Sequence, residues 1–374
     1  MRVLHFFKTY FPDSYGGIEQ FIYQLARGCA LRGVDVDVLS LSREVDNETS
    51  RFENHSVHRV RRTFGIASTD FSFRAFPRFA ALARQADIIH YHYPWPFADI
   101  VHFVTPFAKP TVLTYHSDII RQKRLLRLYE PLMKRFLGSV DRIVATSQNY
   151  LQTSDVIRHY QHKTIVIPIG LDPSTYAAPD DALLAKWRSE FKGRFFLFVG
   201  ALRYYKGLHI LLDAIRGTGY PLVIVGAGPI EAELHVHAEQ IGLTNVHFLG
   251  SQSDSDKVAL FKLCYAVVFP SHLRSEAFGI SLLEGAMFGK PLISSEIGTG
   301  TSFINIHGET GLVVRPEDPK DLREALRMLY ENPELADRMG RQAYLRYQTY
   351  FTVDRMVDSY IGLYDELLSI RKHR

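Results

Sequence analysis

Apolar runs of five to seven residues alternate along the chain with amphipathic stretches of ten to eighteen. The first run, Val3-Leu4-His5-Phe6-Phe7, leads to a turn at Gly16-Gly17. Behind it Ile18, Phe21, Ile22, Leu25 and Cys29 recur at helical spacing, and Gly33 reads as a stop. Further strands are predicted at Val34–Leu41, Asp87–Tyr91, Thr111–Tyr115, Arg142–Ala145 and Thr164–Ile167. Strand–helix–strand alternation of this kind builds a parallel sheet with helices on both faces.

The pattern restarts after a Pro-, Asp- and Ala-containing connection at Leu171–Asp181. Strands are predicted at Phe195–Val199, Leu222–Val225, Val246–Leu249 and Ala266–Phe269, with helices at 206–217, 230–241 and 255–263 between them. The expectation is an α/β chain of two tandem doubly wound, Rossmann-like domains, residues 1–170 and 171–351. An amphipathic end, Thr352–Ser369 within 352–374, is expected to return to the first domain. Ligands of such sheets sit outside the carboxyl ends of the strands, so two facing sheets imply a cleft. A length of 374 residues agrees with two cores of roughly 150–200 residues each.

Composition narrows the class. Charged residues make up 22% of the chain, ordinary for a globular protein. No apolar run of eighteen residues exists and the N-terminus turns polar too early for a signal peptide, which predicts a cytoplasmic protein. Cys29 and Cys264 lie far apart in apolar stretches and read as buried free thiols. The net charge of +4 divides unevenly: residues 1–170 hold 22 Lys+Arg against 15 Asp+Glu, +7, so the remainder carries −3. No nucleic-acid-binding motif accompanies the basic half, so nucleic acid is not an expected partner.

Five groups of residues carry chemistry. Ser275-Glu276-Ala277-Phe278-Gly279-Ile280-Ser281-Leu282-Leu283-Glu284 follows a strand and opens a helix, whose free N–H groups and positive end seat a diphosphate. Glu276 and Glu284, one before and one inside that helix, would lie roughly 10 Å apart and suit hydroxyls on either side of such a group. In Phe198-Val199-Gly200-Ala201-Leu202-Arg203-Tyr204-Tyr205-Lys206-Gly207 a strand delivers two cations to the sheet edge, where they can neutralise a leaving diphosphate without a metal. Val225-Gly226-Ala227-Gly228-Pro229 is either a plain turn or a place where backbone approaches a nucleoside. It lacks the third glycine of a dinucleotide fingerprint. In the first half, Gly16-Gly17 precedes a helix and is a candidate phosphate or acceptor seat. Thr114-Tyr115-His116-Ser117-Asp118 follows a strand, and His116 is either a sugar contact or a structural histidine.

Other signals are weaker. Asp35-Val36-Asp37 resembles a metal-binding carboxylate pair but alternates with valines as the wet face of a strand. His90/His92 and His235/His237 lack a third ligand for zinc. Neither a P-loop nor a Gly-x-Ser-x-Gly elbow occurs, which excludes P-loop NTPases and elbow-type hydrolases. The stretch 121–137, Arg121 to Leu137, reads as a basic amphipathic helix, either a solvated face or a peripheral contact with anionic lipid.

The spaced glutamates around Glu-Ala-Phe-Gly, the Gly…Arg-x-x-Lys-Gly turn, Val-Gly-Ala-Gly-Pro and the early Gly-Gly together resemble the retaining glycosyltransferases of the GT-B fold, family 4. Stretches such as Thr114–Pro131 and Phe269–Asn305 look similar to bacterial O-polysaccharide mannosyltransferases and D-rhamnosyltransferases. The resemblance implies an acceptor-binding first domain and a donor-binding second one. Arg203 and Lys206 would hold the donor diphosphate, Glu284 the ribose, and Glu276 the hexose. Gly200, Gly228, Phe278, Gly279 and Ile280 would line the donor, His116 the sugar, and Gly17 the phosphate and acceptor. The implied donor is a GDP-sugar, the acceptor a lipid-linked glycan such as O-antigen, the place the inner face of the cell membrane, and no metal or other cofactor is required. One departure stands out: Pro168-Ile169-Gly170-Leu171-Asp172 replaces the family's Pro-Asn-Gly-Val-Asp. Rival readings are a sugar-nucleotide epimerase and a non-catalytic nucleotide-sugar-binding subunit. A phosphorylase would need a pyridoxal phosphate lysine for which no site is evident.

Overall fold

The computed structural model describes residues 1–66, 69–119 and 123–372. The chain forms two compact units, Met1–Gly170 with Val353–Arg374, and Leu171–Thr352.

The first unit carries β1 (Arg2–Phe6), β2 (Asp35–Ser42), β3 (Glu48–Phe52), β4 (His55–Arg61), β5 (Phe64–Ile66), β6 (Thr69–Phe71), β7 (Ile88–Tyr93), β8 (Thr111–Tyr115), β9 (Arg142–Ala145) and β10 (Thr164–Val166). Eight of them make one sheet in the order β10-β9-β8-β7-β1-β2-β4-β3, parallel except for β3, while β5 and β6 form a separate hairpin. Both faces of the central strands are covered, so every residue of β7 is buried, His90 and His92 among them. The strands β3 and β4 and the small hairpin had no counterpart in the predicted pattern.

Asp37 corrects one expectation. Only Asp35 of the Asp35-Val36-Asp37 alternation is exposed. Asp37 is 3% exposed and accepts from Arg2 Nε at 2.6 Å and pairs with His58 Nε2 at 2.7 Å. Its strand lies between β1 and β4, so the carboxylate meets neighbouring side chains instead of water and must be paired.

The helix Val353–Lys372 packs on the first unit. Gly28 makes room for it: a Cβ there would stand 2.5 Å from Val357 Cγ2. Arg32 bonds Asp354 and Asp358 at 2.7 and 2.9 Å, while Tyr360 and Tyr364 send their hydroxyls into the sheet, to Thr114 and His90.

The second unit is an all-parallel sheet of β11 (Phe196–Val199), β12 (Leu222–Val225), β13 (Val246–Phe248), β14 (Ala266–Phe269), β15 (Leu292–Ser295) and β16 (Gly311–Val314), in the order β13-β12-β11-β14-β15-β16. Phe196, Phe198, Leu211, Val268 and Leu326 are buried in its core. Here β15 and β16 had no counterpart in the predicted pattern. Where the chain enters and leaves, Leu171 N–H donates to the Phe351 carbonyl and Tyr347 hydroxyl to the Leu171 carbonyl, both at 2.9 Å.

Candidate active site

Strand order in the second unit reverses between β11 and β14, and the loops leaving their carboxyl ends part there, the usual ligand position of an open α/β sheet. From β11 the chain passes Gly200 to a short turn, Tyr204–Lys206, and then the helix Leu208–Ile215. Gly207 joins turn and helix at φ +70°, which glycine adopts freely. A Cβ at Gly207 would meet the Pro270 carbonyl oxygen at 2.1 Å, so the glycine also lets this loop press against the one leaving β14. Across that seam His272 N–H donates to the Tyr205 carbonyl at 3.0 Å.

Lys206 thereby reaches Glu276. Its Nζ donates to Oε2 at 2.5 Å, and Ser271 Oγ donates to the same oxygen at 3.3 Å. Lys206 is 8% and Glu276 9% exposed, so each needs the other to remain charged away from water. The ammonium also lies 4.6 Å from the centre of the Phe269 ring. Arg203, just before the same turn, is exposed, and its side chain makes no hydrogen bond or ion pair among the described residues.

Beside this pair the helix Ile280–Met287 begins, with Gly279 at its N-cap and no side-chain hydrogen bond closing the end. Its first-turn N–H groups lack intrahelical acceptors, so the positive end is open; Phe278 is buried next to it. Glu284, one turn further on, is half-buried and accepts a hydrogen bond from Tyr176 hydroxyl at 3.0 Å. Burial outweighs that bond and pushes the Glu284 carboxyl up to about 7. Tyr176 escaped sequence reading because it is 108 residues away and belongs to no motif.

The glycines after β12 have a packing reason. A Cβ on Gly226 would stand 2.0 Å from the Gly200 carbonyl oxygen, and one on Gly228 2.2 Å from that of Leu202. Gly200 N–H donates to Val225 and Leu202 N–H to Ala227, each at 3.0 Å. Loop-on-loop approach requires small residues here whatever ligand lies against them.

In the first unit Gly17, the candidate phosphate or acceptor seat, opens the helix Gly17–Leu31, and a carboxylate lies against that end. Glu19, 7% exposed, folds back over the first turn. Its Oε1 accepts from Thr9 and Ser14 hydroxyls, both at 2.8 Å, and its Oε2 would be 2.5 Å from a Cβ on Gly16. A fixed carboxylate complements the helix dipole and repels a second anion, so this end suits hydroxyls and not phosphate.

His116 follows β8 and is 7% exposed; burial pushes its imidazole down to about 3, so it is neutral at physiological pH. The structure also supplies the third histidine that the spacing of His90 and His92 lacked: with His5, from β1, one ring nitrogen of each of the three lies within 4.8 Å of the others. His90 and His92 are stacked, with ring centres 4.5 Å apart and planes 26° from parallel, so their lone pairs run side by side instead of converging. His237 is bonded to Asp213 at 2.8 Å. Cys29 and Cys264 are buried free thiols, both pushed up to about 12 by burial. Of the basic stretch, Arg121 and Gln122 lie outside the described residues. The rest enters the helix Lys123–Ser139, which buries Met133, Phe136 and Leu137 and leaves Leu128 81% exposed. No helix among the described residues is long and apolar enough to cross a membrane.

Residues 15–175 match the family model of glycosyltransferase family 4, and residues 180–346 that of glycosyl transferases group 1. The chain is 60% identical over 352 residues to the D-rhamnosyltransferase WbpZ of Pseudomonas aeruginosa, across 94% of this chain and 92% of that protein. It is 53% identical over 368 residues to the O-antigen chain mannosyltransferase C of Escherichia coli, across 98% and 99%. Among solved structures, sucrose-phosphate synthase from Thermosynechococcus elongatus superposes with a TM-score of 0.81 at 21% identity over 99% of both chains, which shows the shared GT-B fold. Two Rossmann-like sheets, the paired Lys206 and Glu276 at the switch point of the second, and full-length identity of this degree lead to one assignment: the chain belongs to the family 4 glycosyltransferases of the GT-B fold.

Proposed function

We propose that the enzyme moves mannose or D-rhamnose from a GDP-sugar onto a lipid-linked O-polysaccharide, with retention at C1 and without a metal ion. The activities named for the two relatives support the choice of sugar, and that of the second supports the O-antigen acceptor. The observation that carries the reading is the buried Lys206–Glu276 pair beside an open helix end at the switch point of the second sheet.

In this reading Lys206 and Arg203 take the diphosphate, joined by the N–H groups from Phe278 to Ile280, and Gly200 and Gly228 line the donor. Glu276 keeps Lys206 charged and offers its Oε1 to hexose hydroxyls; Glu284 takes the ribose, and His116 touches the sugar. The end of the helix at Gly17, with Glu19, faces acceptor hydroxyls. The hexose C1–O bond to phosphate breaks as C1 bonds to the acceptor oxygen on the same face. The acceptor's proton passes to the departing phosphate, whose negative charge the two cations stabilise. The bases of the helix Lys123–Ser139 and its exposed Leu128 hold the protein at the inner membrane face, each base near anionic lipid adding about 1 kcal/mol.

Purified enzyme incubated with GDP-mannose or GDP-D-rhamnose and a synthetic lipid-linked acceptor tests this. Transfer with retained anomeric configuration is expected; an inverted product, or no transfer from either donor while another nucleotide sugar serves, overturns it.

A further inference from the structure

The strands of the first unit place a row of histidines under one set of covering helices. Register pairs His5 with His90 and His92 with Thr114, and the two-residue period of a strand sets His90 with His92, and Thr114 with His116, on one face. His116 Nε2 lies 3.2 Å from His92 Nδ1, and His92 Nε2 lies 3.0 Å from His5 Nδ1. Phe21 closes over His92 and His116 with its ring edge-on to both. Three imidazoles thus form a chain running from His116 into the core.

All three are neutral, because burial lowers His5 and His116 to about 3 and His92 as well. A neutral imidazole has one N–H and one lone pair, and every nitrogen-to-nitrogen contact needs one of each. Two proton patterns satisfy both contacts. In the first, His116 donates to His92 and His92 to His5, which leaves an N–H on His5 Nε2. In the second, His5 donates to His92 and His92 to His116, which leaves a bare lone pair there. His5 Nε2 is fully buried and has no hydrogen-bond partner among the described residues. His90 cannot serve it, since its two nitrogens are engaged by Tyr364 hydroxyl and Thr114 Oγ1, each at 2.7 Å. A buried N–H without an acceptor is the rarer and costlier orphan, so the second pattern prevails.

We infer that His5 and His92 are positioning residues that hold His116 as its Nδ1–H tautomer, so that it presents an N–H and not a lone pair to the ligand. The consequence for catalysis rests on the reading that His116 touches the donor sugar. His116 Nδ1 has no hydrogen bond among the described residues, and the residue keeps 7% of its surface exposed. An N–H there suits an oxygen that gains negative charge as the glycosidic bond breaks, whereas a lone pair would repel it. Free histidine in water favours the opposite tautomer, so the state of His116 reports the chain directly.

The test is nitrogen NMR of full-length protein labelled with ¹⁵N-histidine, the His116 signals being assigned by their loss in His116→Gln. Nδ1 is expected protonated and Nε2 bare throughout pH 6–8; the reverse tautomer, or titration in that range, overturns the inference. His5→Asn keeps an N–H at the end of the chain and is expected to preserve the His116 state and turnover. His5→Asp offers only an acceptor and is expected to reverse the chain, moving the proton of His116 to Nε2 and lowering kcat about tenfold. Should the Asp variant fail to fold, His92→Ala, which admits a water able to donate or accept, is expected to mix both tautomers. Loss of turnover without a change of tautomer overturns the inference. A change of tautomer with full turnover leaves the tautomer assignment standing and removes the contact between His116 and the donor sugar.

Discussion

Lys206 Nζ donates to Glu276 Oε2 at 2.5 Å and so ties the loop leaving β11 to the loop leaving β14. The contact is both structural and electrostatic, and the two contributions separate experimentally. Lys206→Ala strands a buried carboxylate, which costs about 3–5 kcal/mol of stability. It is also expected to lower turnover about 10²–10³-fold, the loss typical of one charge stabiliser. The double variant Lys206→Ala with Glu276→Ala should regain most of the stability, read by thermal melting, and none of the activity. Recovery of turnover in the double variant would reduce the pair to a scaffold.

Arg203 offers the complementary case. It is exposed and its side chain has no partner among the described residues, so Arg203→Ala should leave the melting temperature unchanged while turnover falls by a similar 10²–10³. A near-normal rate would remove Arg203 from the diphosphate site.

Gly207 determines whether the two loops can meet. Gly207→Ala sets a side chain at φ +70° against the Pro270 carbonyl, and the backbone strain alone costs about 1–3 kcal/mol. Lys206 is next in the chain, so donor affinity should fall along with the melting temperature. Unchanged affinity in a destabilised variant would show that the loop seam does not set the site.

Glu284 predicts a pH effect with a definite sign. Its carboxyl is raised from an ordinary 4.5 to about 7, chiefly by burial. Between those values the folded chain holds a proton that the unfolded chain has released. The stabilisation is therefore complete below pH 4.5 and is lost as pH rises through 7, by roughly 3 kcal/mol at about 1.4 kcal/mol per pKa unit. Glu284→Gln lacks this loss, so its melting temperature should fall less between pH 5 and 8 than the wild type's. Parallel curves would assign the proton elsewhere.

Chelation tests the charge economy of the site. With Arg203 and Lys206 available for the diphosphate, EDTA should leave the transfer rate unchanged; strict dependence on Mg²⁺ or Mn²⁺ would contradict the two-cation account.

Much of this was legible in one sequence because the signals are local. Thr111–Tyr115, Arg142–Ala145, Leu222–Val225 and Ala266–Phe269 form strands at the bounds their runs predict, since a strand covered on both faces is mostly apolar. Arg203, Lys206, Glu276 and Glu284 stood out because each follows a strand end or lies in a helix start. What escaped were relations across the chain. Asp37 read as wet because its own strand alternates, yet His58 and Arg2 make it a buried partner. Gly17 read as a phosphate or acceptor seat, and nothing in its spacing showed that the Glu19 carboxylate lies against it.

The order of apolar and polar residues by itself determined two parallel sheets, the loops that leave them and the residue types those loops carry, because period and turn chemistry act over a few neighbours. Only the tertiary structure decided which of these side chains meet: Lys206 with Glu276, Tyr176 with Glu284, His5 with His92 and His116. Strand order and the close approach of glycine loops set those pairings, and both depend on contacts between segments tens to more than a hundred residues apart, where spacing along the chain carries no information about distance.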